Sequence, residues 1–246
     1  MPFASASAAD RYEGLAYASD SGELAYRETH WRYRDQGRPA RLVLYRCPDG
    51  TPFARKHLHG AADAIAPRFA FVDARDGYRE GLRDGNGDGA RREVYWQPRR
   101  QAKAQARTLE IGANVVADAG FDALVRARWD ELHAGMPVEA AFLVPSRLDT
   151  VEVSIRKVDA AADPGQLHLR MKLDAWYGFA APRIDLVYRG SDRRLLRFEG
   201  IGTIRDDRGR HRHVRIEFPP RLRVDEVARA QVDAAAALPL SRGCDD

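Results

Sequence analysis

A strict alternation constrains this chain more than any other feature. In Leu167-His168-Leu169-Arg170-Met171-Lys172-Leu173 every odd position is apolar and every even one is basic or His. A period of two sends successive side chains to opposite faces of a strand, one towards a core and one towards water. Val151-Glu152-Val153-Ser154-Ile155-Arg156 repeats the pattern, and so does Arg212–Phe218, with Val214, Ile216 and Phe218 inward. Further strands are expected at Gly14–Tyr17, Leu24–Tyr33, Arg41–Tyr45, Phe53–Leu58, Phe69–Asp73, Glu93–Gln97, Ile184–Tyr188 and Leu195–Glu199. The connections carry turn residues: Asp20-Ser21-Gly22, Asp35-Gln36-Gly37, Pro48-Asp49-Gly50, Gly190-Ser191-Asp192 and Asp206-Asp207-Arg208-Gly209. Such short turns join antiparallel neighbours, because a parallel crossover needs about a dozen residues.

Two segments read as helices. Phe121, Leu124, Val125, Trp129 and Leu132 recur at helical spacing, with Asp118 to cap the start and Gly135 the end. A second helix is expected from about Val224 to Ala236, before Pro239. The expected fold is α+β: a large curved antiparallel β-sheet, half-barrel-like, wrapped over one main helix, plus a C-terminal helix. Residues 1–10 are expected to form a flexible tail, 11–222 one β-rich domain with its helix at about 119–133, and 223–246 the C-terminal helix and tail.

Charge excludes some classes. Of 40 Lys+Arg only four are lysine (Lys56, Lys103, Lys157 and Lys172), the profile of a GC-rich genome. Acidic residues are interspersed, as in Arg205-Asp206-Asp207-Arg208, so no basic stripe for nucleic acid forms and none is expected as a partner. No apolar run approaches the roughly 18 residues of a membrane span. The Ala4–Ala8 segment carries A-x-A patterns like a signal cleavage region, without the basic and apolar parts of a signal, which slightly favours the periplasm or cell envelope. Cys47 and Cys244 pair if the chain is exported and are plain thiols if it is cytosolic.

Chemical motifs are sparse. Asp84-Gly85-Asn86-Gly87-Asp88-Gly89 matches the first half of a calcium loop, making Asp84, Asn86 and Asp88 candidate calcium ligands. Position twelve is Tyr95 where a carboxylate belongs, and a hairpin turn explains the same residues. Two His-x-His pairs, His57/His59 and His211/His213, could each offer two imidazoles to a transition metal, since residues two apart on a strand share a face. Arg55, Lys56, Arg210, Arg212 and Arg215 lie close to them and would repel a cation. No nucleophile elbow, phosphate loop or dinucleotide motif is present. Trp176, Tyr177 and Phe179 in the densest aromatic stretch, with Trp129, are the candidate residues for an apolar ligand, against a plain role as core plug.

The order Pro182-Arg183-Ile184-Asp185-Leu186-Val187-Tyr188, then Arg194-Leu195-Leu196-Arg197-Phe198-Glu199-Gly200, then the Gly209 turn and a last strand, resembles bacterial envelope proteins of the lipoprotein-carrier type. The resemblance covers residues 140–220 and rests on hydrophobic pattern. It implies an open half-barrel whose helices cover an apolar cavity, and binding of acyl chains or another apolar small molecule. The chain is also similar to uncharacterised proteobacterial proteins. No lipobox cysteine stands near the N-terminus, and no functional residue carries over. The leading expectation is a non-enzymatic envelope protein that binds an apolar or lipid-like ligand. The alternatives are a metal-assisted, hydrolase-like enzyme built on the paired histidines, and a protein-interaction module.

Overall fold

The alternating stretches fold as strands, and the short turns set them side by side. The computed structural model describes residues 9–60, 64–85, 91–118, 120–159, 163–173, 183–206 and 208–244. The first meander runs β1 (Ala9–Ala18), β2 (Leu24–Asp35), β3 (Arg38–Arg46), β4 (Pro52–His59), β5 (Arg68–Asp73), β6 (Tyr78–Asp84), β7 (Arg91–Gln97) and β8 (Gln105–Glu110). Then come β9 (Val115–Val116), α1 (Gly120–Ala127) and α2 (Trp129–His133). The second meander is β10 (Val138–Val144), β11 (Asp149–Lys157), β12 (Gln166–Leu173), β13 (Arg183–Arg189), β14 (Leu195–Arg205) and β15 (His211–Glu217), followed by β16 (Arg223–Val227) and α3 (Arg229–Ala237).

The two meanders fuse because β1 pairs antiparallel with β15, Leu15 opposite Glu217 and Ala18 opposite Val214. One sheet results, in the order β8-β7-β6-β5-β4-β3-β2-β1-β15-β14-β13-β12-β11-β10-β9. Its end strands, β8 and β9, are separated in sequence by residues 111–114 alone. Five chain steps reach about 18 Å at most, so the two ends of the sheet must curl towards each other. Side chains complete the seam: Leu58, Phe69, Leu82 and Val94 from β4–β7 pack with Ala117 and Leu143, and Arg107 of β8 bonds Asp149 of β11 at 3.0 Å.

The concave face encloses the helices. Leu124, Val125, Trp129 and Leu132 pack on Val138, Val153, Ile155, Leu169 and Tyr188 of β10–β13. Burying each such side chain is worth about 1.5–3 kcal/mol. The helix expected at 119–133 bends at Arg128 into α1 and α2 and ends at Gly135 (φ 85°), whose N–H bonds Leu132 O at 3.0 Å. On the convex face α3 covers Trp31, Leu42 and Leu44 with Val232 and Ala235. Cys47 and Cys244 form a disulfide, with Cα atoms 5.6 Å apart.

Several expectations shift. Arg223–Val227 is a strand, not the start of the C-terminal helix, because β15 reaches only Leu15–Ala18 of β1 and β16 continues that edge, with Val227 opposite Ala9. The strand register also includes Ala9 and Asp10, the last two residues of the expected tail. Four further strands have no counterpart among those expected, the two-residue β9 being one. β6 places Tyr78, Glu80 and Leu82 on one face and so breaks the polar–apolar alternation. β10 is apolar on both faces, and β8 is an exposed end strand.

Gly120 marks the tightest approach of α1 to the chain before β5. A Cβ there would stand 1.9 Å from Ile65 O. Gly120→Ala should therefore lower stability by about 1–3 kcal/mol in urea unfolding, and an unchanged midpoint would contradict this packing.

Candidate functional site

The register writes three rows of side chains across the concave face of the first meander. The central row reads Tyr12, His30, Val43, Lys56, Phe71, Glu80 and Trp96. Beside it on one side stand Asp10, Arg32, Arg41, Leu58 and Phe69, and on the other Gly14, Glu28, Tyr45, Ala54, Asp73 and Tyr78. Because the sheet curls over them, Glu28, His30, Arg41, Lys56, Asp73 and Glu80 are all buried. Charged groups are almost never buried without partners, and each of these has to be accounted for.

Lys56, 4% exposed, forms an ion pair with Asp118. Asp118 lies in the left-handed region (φ 48°), and its carboxylate goes to Lys56 instead of capping α1. Its Oδ2 has no partner. Glu80 accepts a hydrogen bond from the Tyr78 hydroxyl at 2.5 Å, and burial holds its carboxyl above the usual range. His30 stacks on Tyr12, ring centroids 4.5 Å apart and planes within 6°. Its Nε2 stands 3.2 Å from Glu28 Oε1, yet neither ring nitrogen has an aligned hydrogen-bond partner. Burial pushes the His30 imidazole below its ordinary value; Arg41 and Lys56 push the same way and Glu28 opposes. Arg41, 9% exposed, has no salt bridge among the described residues, and its Nε is unpartnered. Trp96 Nε1 in the same row, Asp122 Oδ1 on α1 and Tyr188 OH on β13 are also without partners, as are Arg11 Nε, Trp31 Nε1 and Arg55 Nε on the convex face. Native interiors leave few such atoms unsatisfied, and those enclosed at His30, Arg41 and Asp118 mark a place where waters or a ligand belong.

Of the residues singled out by sequence, those the structure describes lie outside this row. Trp129 is buried in the core, edge-on to Tyr188 at 6.1 Å, with Arg193 over its ring. Trp176, Tyr177 and Phe179, and likewise Asn86 and Asp88, lie outside the described residues. Asp84 bonds Arg68 at 2.6 Å. His57 and His59 stack on the convex face with rings 5.5 Å apart, and burial, then His59, lowers His57 to about 4. His211 Nδ1 contacts Gly202 O at 3.1 Å and His213 Nδ1 contacts Ser19 Oγ at 2.9 Å. β4 and β15 are four strand spacings apart in the sheet, about 19 Å, so the two pairs do not converge. Among the described residues no three His, Cys, Asp or Glu side chains gather as a metal set.

Sequence reasoning missed the concave row because Glu28, His30 and Arg32 alternate with Thr29, Trp31 and Tyr33, which reads as a wet face against a core face. The available signal was the C-terminal helix. An apolar stripe in Val232 and Ala235 needs a partner, and giving it Trp31 turns Glu28 and His30 inward.

No protein-family model and no curated protein matches this chain. A crystal structure of a beta-barrel-like protein of the domain of unknown function DUF1849 from Brucella abortus is similar to it over 87% of this chain and 96% of that one, at 9% identity and a TM-score of 0.47.

Two measurements test this site. Lys56→Met and Asp118→Leu should each cost about 3–5 kcal/mol, and the double variant clearly less than their sum, because a lone buried charge is worse than none. Additive losses would show that the pair is not coupled. His30 also sets a pH dependence. Its folded value lies below the ordinary 6.5, so between those values the unfolded chain binds more protons and stability falls as pH drops. Melting from about pH 7 to about pH 5 should destabilise the protein more than its His30→Gln variant; equal slopes would contradict the assignment.

Proposed function

We propose that this chain is a non-enzymatic, ligand-binding protein of the cell envelope, and that its ligand is a lipid-like, amphipathic small molecule held on the concave face of the first meander. The observation that carries it is the set of buried polar atoms at His30, Arg41 and Asp118 that the fold itself leaves without partners. Val43, Phe71 and Phe218 surround them with apolar surface, which suits a molecule with both polar and apolar parts. The Cys47–Cys244 disulfide supports an oxidising compartment. The expected half-barrel likeness to lipoprotein-carrier proteins agrees with this assignment in architecture. A metal-assisted enzyme is less well supported, since its histidines sit on the opposite face and apart from one another.

Native mass spectrometry of the protein purified from its host, without detergent, should show a population carrying a non-covalent small molecule that denaturation releases. A single species at the bare mass of the chain, from cells grown under varied conditions, would contradict the proposal.

A further inference from the structure

We infer that the concave face recognises an anionic headgroup, a carboxylate or a phosphate, which sits over Val43 and takes its charge partner from Arg41 and its hydrogen bond from His30. This rests on the ligand-binding proposal above and names the chemistry of its ligand.

Other buried or half-buried cations that line or border this face are matched by the protein itself. Lys56 has Asp118, Arg32 has Asp10 in a forked contact at 3.0 and 2.6 Å, Arg75 has Asp73 at 2.7 Å, and Arg205 has Asp76. Arg41 is the exception among the described residues. Its cross-strand neighbours are Arg32 and Leu58, a like charge already engaged and an apolar side chain. Its buried Nε has no partner, which is costly for a group that cannot shed its proton. An anion seated against the guanidinium supplies that partner.

The surroundings suit a planar or tetrahedral oxyanion. Val43 lies between His30 on β2 and Lys56 on β4 in one row, and Arg41 precedes it by two residues on the same face of β3. Diagonal neighbours in an antiparallel pair stand about 7–8 Å apart, so one headgroup over Val43 reaches Arg41 and His30 together. The arginine fork matches two oxygens of a carboxylate or phosphate. His30 Nε2 faces Glu28 Oε1 at 3.2 Å, which leaves Nδ1, without a partner, as the atom to meet the headgroup. Tyr12, stacked beneath His30, keeps the ring in place.

The test uses the full chain freed of any co-purifying molecule, and titrates palmitate, its methyl ester, lysophosphatidic acid and inorganic phosphate by calorimetry. Palmitate or lysophosphatidic acid should bind at least about 10-fold more tightly than the ester, and whichever of the two is preferred identifies a carboxylate or a phosphate source. Binding of inorganic phosphate as tight as that of the lipids would instead assign a free anion. Arg41→Met should erase the preference over the ester, and Arg41→Lys should retain part of it. The unliganded Arg41→Met protein should melt about 2–4 °C higher than the parent, because a buried polar atom without a partner has gone. An ester that binds as tightly as the acids, with an Arg41→Met variant that melts lower, would make Arg41 a structural residue and overturn this inference while leaving the ligand-binding proposal standing. If none of the four probes binds, that proposal falls and takes this inference with it.

Discussion

The pairing of β1 with β15 is the constraint on which the rest depends. It joins residues about two hundred positions apart and fuses two antiparallel meanders into a single sheet. Once fused, the far ends of that sheet are β8 and β9, which four residues of chain hold close together. A sheet with tethered ends has to curl, and right-handed twist favours the same outcome. Curling turns one face of the strands between those ends into an interior. In the second meander that interior is filled by α1 and α2; in the first it is lined by the side chains of the strands themselves.

Those two halves solve different problems. The β10–β13 half is an apolar core of the ordinary kind, with Leu, Val, Ile and Trp side chains packed on one another. The β2–β6 half buries Glu28, His30, Arg41, Lys56 and Glu80. A chain that only had to be stable would have little reason to keep so many ionisable groups there, since replacing buried pairs by packed apolar residues is commonly neutral or stabilising. Stability given up at one place is the usual mark of a site that serves function. The Lys56–Asp118 pair also links the two halves, because Asp118 stands where the chain enters α1. The polar row and the helix it faces are thus fixed to one another.

Much of the architecture was legible in the sequence. Period-two alternation identified the strands around Val153, Leu169 and Ile216, and the Gly and Asp turns made their pairing antiparallel. The helix under the sheet followed from Leu124, Val125, Trp129 and Leu132. The site was not legible, for a physical reason. Alternation shows that a strand has two unlike faces, yet it cannot say that both are buried. Trp31 faces α3 while Glu28 and His30 face the interior, and nothing local to β2 distinguishes that from a strand with one wet face. β6 and β10 were hidden similarly, one by a buried Glu80 and the other by apolar residues on both sides. Closure depends on the β1–β15 contact and on the position of β8 next to β9, and no local pattern encodes either.

The central claim is that the enclosed polar row is completed by a bound molecule and not by the protein. A crystal structure of the protein purified from its host, without detergent, tests this most directly. The account predicts density that belongs to neither protein nor water, with an oxygen-bearing end within hydrogen-bonding distance of the Arg41 guanidinium. A side chain of the protein itself in that place, forming a closed ion pair with Arg41, would contradict it.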